Sequence, residues 1–256
     1  MSRRLALVAG GASGIGLGVA CHLATNHDVA IAYAENHDHA EAARRSLAEQ
    51  TPEAKIGIFG GRLQSYADCE KLVTGVTAEF GCGPDVLVNC TGCLFDQLFL
   101  GSDFEKHVGL IHEHLIVTMA LCHLCLRGMY KKSFGRIVNI GSIRAQYAAI
   151  GQCSYAAAKA GIEGFSRTLA LDVAHRGVTV NVVAPGLIDT PLASAFIDQA
   201  KQKGERTSWM PASGIGMPGD VGHLVAFLSS QQASYITGAV HVIDGGKSLG
   251  ESPRGK

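Results

Sequence analysis

Tyr155 and Lys159 form the residue pair in this sequence best suited to acid–base chemistry. Because they stand four residues apart, they share one face of a helix, and the lysine ammonium can stabilise tyrosinate and lower the phenol pKa from about 10. Tyr155 could then exchange a proton with a carbonyl or carbinol oxygen, while Ser142 holds that oxygen. The spacing Tyr-x-x-x-Lys arises by chance in roughly one such sequence in four, so the rest of the chain must decide.

A glycine-rich run follows the first apolar stretch and could hold phosphate groups. It contains Gly10, Ser13, Gly14, Ile15 and Gly16, and a helical pattern begins inside it. Glycines let the backbone turn sharply and approach a pyrophosphate, which the free N–H groups and the positive end of the helix dipole attract. By chance alone G-x-x-x-G-x-G occurs about once in two such chains, but its position after the first predicted strand favours a phosphate site over a packing turn.

Seven short apolar runs are predicted to form the strands that position these residues: Leu5–Ala9, Val29–Tyr33, Lys55–Phe59, Asp85–Asn89, Arg136–Ile140, Val178–Ala184 and Val240–Ile243. Helical patterns occupy residues 14–26, 38–50, 66–80, 103–131, 153–175 and 219–230. Short, continuous, Val- and Ile-rich runs indicate strands covered on both faces, as in a parallel sheet between helices. The chain is therefore predicted to form a single doubly wound α/β domain over residues 1–256. An irregular stretch rich in Pro and Gly predicts a substrate lid at about 191–215.

The composition excludes several functional classes. The 256 residues carry 22 basic and 22 acidic side chains, which leaves no excess of positive charge for nucleic acid or an anionic membrane surface. No signal peptide and no uninterrupted apolar stretch of about 18 residues is apparent, so we expect a cytoplasmic protein. Its eight cysteines include two C-x-x-C pairs, Cys90/Cys93 and Cys122/Cys125, but reduced thiols are the simpler expectation than a metal site.

Several further segments resemble the short-chain dehydrogenase/reductase family along nearly the whole chain. Besides the glycine run and the set Ser142, Tyr155 and Lys159, they are 85–89 (DVLVN), 135–142 (GRIVNIGS) and 181–190 (NVVAPGLIDT). Within that family the chain is most similar to the 3-oxoacyl-(acyl-carrier-protein) reductases, through 155–161 (YAAAKAG), 172–181 (DVAHRGVTVN), 234–238 (SYITG) and 244–246 (DGG). The resemblance implies a Rossmann-fold homotetramer that reduces a β-ketoacyl thioester with nicotinamide hydride.

The resemblance also implies the roles of individual residues. Tyr155 would be the acid and Ser142 would hold the oxyanion, while Lys159 would bind the nicotinamide ribose and lower the Tyr155 pKa. Other residues expected to contact the cofactor are the glycine run together with Asn89, Gly92, Pro185, Gly186, Ile188 and Thr190. The remaining alternatives are a dehydrogenase of another alcohol or ketone, such as a sugar, steroid or polyketide intermediate, and a degenerate subunit of a heteromeric reductase.

The sequence departs from the family pattern at several of these positions. Cys90 and Thr91 stand where the family usually has Asn and Ala, and Arg62 or its neighbour replaces an Asp near the adenine. His114 stands where the family has the asparagine of its catalytic tetrad. It is predicted to hold a water of the proton relay and to titrate near neutral pH, the alternative being a helical imidazole bonded to a backbone carbonyl.

The cofactor and the protein partner are less directly indicated. Tyr33 occupies the place where NAD-preferring relatives carry Asp, which favours NADPH, with Ser13 and Asn36 as phosphate hydrogen-bond donors. NADH stays possible, because Ser13 replaces a common Arg and Glu35 lies nearby. An acyl-carrier protein is the expected partner, held beside the active-site mouth by basic residues such as Arg176, Arg127, Lys131 and Lys132. An ordinary solvated basic helix end is the alternative.

Overall fold

A computed structural model describes residues 3–194, 197–198 and 214–249. Its seven strands are β1 (Arg4–Ala9), β2 (His27–Tyr33), β3 (Ile56–Gly60), β4 (Val86–Asn89), β5 (Gly135–Ile140), β6 (Val178–Pro185) and β7 (Val240–Ile243). They form one sheet in the order β3-β2-β1-β4-β5-β6-β7, and every pair of neighbours is parallel. The strand order reverses between β1 and β4, as in doubly wound folds.

The helices are α1 (Gly14–Ala24), α2 (His37–Gln50), α3 (Tyr66–Phe80), α4 (Phe104–Ile111), α5 (Val117–Lys132), α6 (Cys153–Val173) and α7 (Pro218–Leu228). Side chains of α1, α2 and α7 pack on one face of the sheet, and those of α3, α5 and α6 pack on the other. Because successive strand residues point to opposite faces, Ala6 and Val8 join the first cluster whereas Leu5 and Leu7 join the second. The predicted fold class and Rossmann topology are confirmed.

A π-helical turn, His112–Ile116, separates α4 from α5, where the sequence pattern predicted one uninterrupted helix over 103–131. The helical stretch Phe104–Lys132 is also long and apolar enough to cross a membrane by length and composition. In the structure, however, Val117, Leu121 and Cys125 are buried in the cluster on the sheet. Packing in the core accounts for part of the apolar character of this stretch, while Val108, Ile116 and Met119 are exposed.

The predicted lid at 191–215 lies mostly outside the described residues. At its start, Pro191–Ala193 forms a short 3₁₀ turn capped by the Thr190 hydroxyl. After it, Gly216 pairs with Ile188, and the Asp189 N–H donates to the Gly216 carbonyl at 2.8 Å. The two ends of the segment are therefore held together beside the carboxyl end of β6.

Candidate active site

A cavity of about 1050 Å³ opens at the carboxyl edge of the sheet, around the point where the strand order reverses. Of the residues expected to bind a cofactor, it is lined by Gly10, Ser13, Gly14, Ile15, Gly16, Tyr33, Asn36, Gly92 and Thr190. Ligands of doubly wound sheets bind in this crevice, because the loops that follow the two neighbouring strands turn to opposite faces of the sheet there. The cavity is large enough for a dinucleotide.

The glycine run forms a tight turn between β1 and α1. Gly10 has φ of +78°, and the Gly10 and Gly11 amides both donate to the Ala32 carbonyl at 3.0 Å. A Cβ at Gly10 would lie 2.9 Å from the Cys90 carbonyl oxygen, and one at Gly16 would lie 2.0 Å from the Gly10 carbonyl oxygen. These positions therefore admit only glycine without displacement of the backbone.

The first turn of α1 suits an anionic ligand. Its N-cap residue, Ser13, makes no side-chain capping bond, whereas Asn36 and Ser65 cap α2 and α3. The N–H groups at the start of α1 thus point towards the cavity without a side-chain acceptor, at the positive end of the helix dipole. This arrangement fits the pyrophosphate of a nicotinamide dinucleotide.

Six residues expected to touch the cofactor do not line the cavity: Asn89, Tyr155, Lys159, Pro185, Gly186 and Ile188. The Asn89 side chain is buried, and its amide donates to Asn139 Oδ1 at 2.7 Å. Gly186 donates to the Ile243 carbonyl at 2.9 Å, and a Cβ there would lie 2.7 Å from Asp244 Cβ. Asn89 ties β4 to β5, and Gly186, with its neighbours Pro185 and Ile188, joins the end of β6 to β7 and Gly216; their contacts with a cofactor stay predictions.

Ser142, Tyr155 and Lys159 are brought together by β5 and α6. Ser142 follows β5, where its Oγ accepts from the Arg144 N–H at 3.1 Å, and Tyr155 lies in the first turn of α6. One turn later, Lys159 is buried, and its Nζ donates to the Ile140 carbonyl at 2.8 Å. The Lys159 Nζ lies 5.6 Å from the centre of the Tyr155 ring. The predicted helical face therefore forms.

The electrostatics of this group differ from the sequence-based expectation. Burial raises the pKa of Tyr155 above its ordinary value, and a hydrogen bond with Ser142 and the charge of Arg144 only partly oppose the rise. Burial also lowers the pKa of Lys159 to about 8. The prediction that Lys159 lowers the Tyr155 pKa concerns the group with its cofactor and stays a prediction; here the Lys159 ammonium donates to the Ile140 carbonyl. Tyr155 is consequently protonated at neutral pH.

His114 packs directly against Tyr155 from the π-helical turn. The two rings lie edge to face with centroids 5.3 Å apart. His114 Nε2 is 2.8 Å from the Cys93 carbonyl oxygen, whereas Nδ1 is buried without a hydrogen-bond partner among the described residues. A Cβ at Gly92 would lie 2.1 Å from His114 Cε1, so a glycine is required beside this imidazole.

The structure overturns the expected titration of His114 near neutral pH. Burial, together with the charge of Lys159, lowers the His114 pKa to about 3. The imidazole is therefore neutral across the physiological range, and it can hold a hydrogen-bond partner without changing its charge. The alternative of an imidazole in contact with a backbone carbonyl is found, whereas a relay water held by His114 stays a prediction.

The opposite end of the cavity carries the groups that would meet the adenosine ribose. Tyr33 ends β2, and its hydroxyl lies 2.6 Å from His37 Nδ1. Arg62 forms an exposed ion pair with Glu35, with Nε at 2.6 Å from Oε1. His39 also lines this end and was not singled out in the sequence, because an isolated histidine in a helix carries no spacing signal. Asn36 accepts from the His39 N–H at 3.0 Å and so caps α2.

The cysteines behave as reduced thiols. All eight are free, and burial raises the pKa of Cys93 to about 11 and those of Cys90 and Cys122 to about 12. Within the described ranges, no group of three or more His, Cys, Asp or Glu side chains is arranged to hold a metal ion. The C-x-x-C pairs thus pack as small apolar residues.

The basic residues expected beside the active-site mouth lie elsewhere. Arg176 follows the C-terminal end of α6 and donates to the Tyr130 carbonyl, and Lys132 pairs with Asp85 at 2.7 Å. Tyr155 is at the other end of α6, whose 21 residues span about 32 Å. Within one chain, Arg176 and Lys132 are therefore at the far end of the helix from the site, contrary to the prediction.

Comparisons with known proteins agree with this geometry. A family model described as enoyl-(acyl carrier protein) reductase matches residues 10–248. The 3-oxoacyl-(acyl-carrier-protein) reductases FabG of Haemophilus influenzae and Vibrio cholerae are 37% and 36% identical, over 96% and 95% of this chain and 98% and 96% of theirs. The acetoacetyl-CoA reductase of Shinella zoogloeoides is 36% identical over 95% of this chain and 98% of that protein.

Solved structures give the same fold. Levodione reductase superposes with a TM-score of 0.89 at 27% identity, covering 96% of this chain and 98% of that one. An NADPH-dependent reductase involved in bacilysin biosynthesis has a TM-score of 0.89 at 26% identity, with the same coverage of 96% and 98%.

Proposed function

Because the chain belongs to the short-chain dehydrogenase/reductase family of oxidoreductases, we propose that it reduces a 3-oxoacyl thioester to the 3-hydroxyacyl thioester with NADPH. The observation that carries this proposal is a half-buried, protonated Tyr155 beside Ser142, since reduction of a ketone consumes a proton at the carbonyl oxygen. The substrate class follows from the 3-oxoacyl reductases that the chain resembles over nearly its full length.

Each residue of the group has a distinct role in the proposed reaction. NADPH, when bound, supplies the hydride that reaches the carbonyl carbon. Ser142 donates a hydrogen bond to the carbonyl oxygen and Tyr155 gives it a proton as negative charge develops there. Lys159 holds the ribose hydroxyls with its buried ammonium, and His114 Nδ1 can hold a water that links this group to solvent.

The rim of the site supports an apolar acyl substrate. Two loops meet beside Tyr155, where the Gln97 N–H donates to the Gly151 carbonyl at 3.1 Å and Gln152 donates to Asp96 at 2.8 Å. These loops expose large apolar side chains: Leu94, Leu98, Phe99, Leu100, Tyr147 and Ile150. Exposed apolar groups clustered at a cleft are typical of a binding surface, and here they suit an acyl chain.

NADPH is the proposed cofactor because no carboxylate stands at Tyr33 to repel a ribose 2′-phosphate. Arg62 is exposed at this end of the cavity and is available to bind the phosphate in exchange for its ion pair with Glu35. The bacilysin-pathway reductase with the same fold is NADPH-dependent. NADH is the alternative.

The proposed assembly is a cytoplasmic homotetramer of one-domain chains, each with a substrate lid at about 191–215. An apolar groove of about 280 Å³ between α3 and α5 supports association, since Tyr66, Ile116 and Met119 are each at least 40% exposed there. A heteromer remains the alternative, because the same groove could accept a related chain.

A spectrophotometric assay tests the proposal. NADPH oxidation would be followed with acetoacetyl carrier protein, with acetoacetyl-CoA, and with cyclic and sugar ketones. We expect the highest kcat/KM with a thioester. The ratio of kcat/KM for acetoacetyl carrier protein to kcat/KM for acetoacetyl-CoA distinguishes the two activities of the relatives. Turnover of a non-thioester ketone with no thioester activity would overturn the proposed substrate class.

A further inference from the structure

His22 on α1 and His223 on α7 face each other outside the cavity. Their ring centroids are 4.0 Å apart and the two Nε2 atoms are 3.2 Å apart. Glycines allow this approach: a Cβ at Gly222 would lie 2.5 Å from both the Gly18 carbonyl oxygen and His22 Nδ1. The two imidazoles are thus held across a close helix contact on the side of the sheet opposite α5.

Backbone carbonyls determine the tautomer of both rings. His22 Nδ1 is 2.7 Å from the Gly18 carbonyl oxygen, and His223 Nδ1 is 2.9 Å from the Gly219 carbonyl oxygen. Since a carbonyl oxygen only accepts, each Nδ1 must carry a hydrogen and donate it. In the neutral rings, both Nε2 atoms therefore present lone pairs to each other, an unfavourable arrangement unless a cation lies between them.

We propose that His22 and His223 bind a divalent late transition-metal ion, of the zinc or nickel type, between α1 and α7. Two metal–nitrogen bonds of about 2.0–2.1 Å place their nitrogens about 3.3 Å apart at a tetrahedral angle and about 2.9 Å apart at a right angle. The observed 3.2 Å lies between these values, but lone pairs aimed at one ion would also place the ring centroids about 4.5–5 Å apart, so the rings, now 4.0 Å apart, must rotate away from each other on binding. Metal-bound histidines also commonly donate their other ring N–H to a backbone carbonyl, as both do here.

The remaining coordination positions would be filled by water. No third His, Cys, Asp or Glu joins the pair in the part of the chain that the structure describes. Asp220, on the same helix as His223, is engaged in accepting from the Met217 N–H at 2.7 Å. We therefore expect an exchangeable site whose occupancy links α1 to α7, rather than a closed structural centre.

Calorimetric titration with Ni²⁺ alone tests the proposal. The protein would carry no histidine tag, and the exposed Cys82 and Cys153 would be replaced by Ser so that thiolates do not compete. We expect one equivalent of Ni²⁺ per chain and a rise in Tm of about 5 °C or more at a hundredfold excess over the dissociation constant. His22→Gln and His223→Gln should each weaken this binding at least tenfold.

His175→Gln is the matched control, because His175 is a surface histidine whose Nε2 contacts the Tyr130 hydroxyl instead of a second imidazole. The His175→Gln variant should still bind one equivalent of Ni²⁺ per chain, and the circular dichroism spectra of all three variants should match that of the parent. Binding unchanged in His22→Gln and His223→Gln would overturn the proposal. Absence of saturable binding in the parent would also overturn it and would leave a shared proton as the cation between the rings.

Discussion

At the scale of single residues, Tyr155 carries the most direct prediction. Tyr155→Phe removes the phenol proton beside Ser142, while the glycine run and cavity are unchanged. Turnover should fall by roughly 100-fold or more, with NADPH binding within a few-fold of the parent. Steady-state kinetics and cofactor fluorescence titration measure the two quantities. Near-normal turnover would remove Tyr155 from the proposed role.

The second prediction concerns His114, for which we expect the position of a hydrogen-bonding group to affect activity more than its charge. His114→Asn keeps a polar group beside Tyr155 and should retain much of the activity, whereas His114→Leu should lose about tenfold or more. Because the His114 pKa is about 3, neither the parent nor the Asn variant should show an inflection between pH 5 and 7. The parent should instead lose activity as pH rises through about 8, where Lys159 loses its proton.

The comparison that decides the role of His114 is the pH profile of kcat/KM for the parent, the Asn variant and the Leu variant. Equal rates in the parent and Leu variant would mean that His114 only packs against Tyr155. An inflection near pH 6.5 that disappears in His114→Asn would contradict the burial argument, since it would require a solvated imidazole.

At the scale of elements, the end of β2 selects the cofactor. Tyr33→Asp places a carboxylate where the ribose 2′-phosphate would lie, so repulsion should shift the ratio of kcat/KM from NADPH towards NADH. Tyr33→Asn is the matched control, because it has the same shape without the charge. A parent that prefers NADH, or an equal shift in both variants, would contradict the charge argument.

The junction of α4 with α6 depends on a buried histidine. His107 lies between Phe95 and Phe99, with Nδ1 at 2.8 Å from Ser154 Oγ and Nε2 at 2.6 Å from Ser102 Oγ. His107→Leu leaves the buried Ser154 hydroxyl without this partner and should lower the free energy of unfolding by about 1–3 kcal/mol. Urea denaturation measures the loss, and His107→Asn, which keeps a polar group, should lose less.

The sequence predicted these elements well where the signal was local. All seven strands are found within two residues of the predicted limits, because continuous Val and Ile runs between turns have few alternatives in a buried sheet. The π-helical turn at His112–Ile116 was not predicted. That turn nevertheless positions His114 against Tyr155.

The site was only partly predictable, because several properties depend on packing in three dimensions. The motif spacing predicted that Ser142, Tyr155 and Lys159 would meet, and they do. It could not predict that burial would raise the Tyr155 pKa.

At the scale of the whole molecule, the groove between α3 and α5 predicts association of chains. Met119 is 40% exposed beside Tyr66 and Ile116, on a helix whose other face is buried in the core. Met119→Glu would bury a charge in any interface formed there, so it should shift the protein to smaller species. Light scattering after size-exclusion chromatography measures the mass. Ala42→Glu, on an exposed position of α2, adds the same charge away from the groove and should leave the assembly unchanged. Equal masses for the parent and Met119→Glu would show that this groove is not the contact surface.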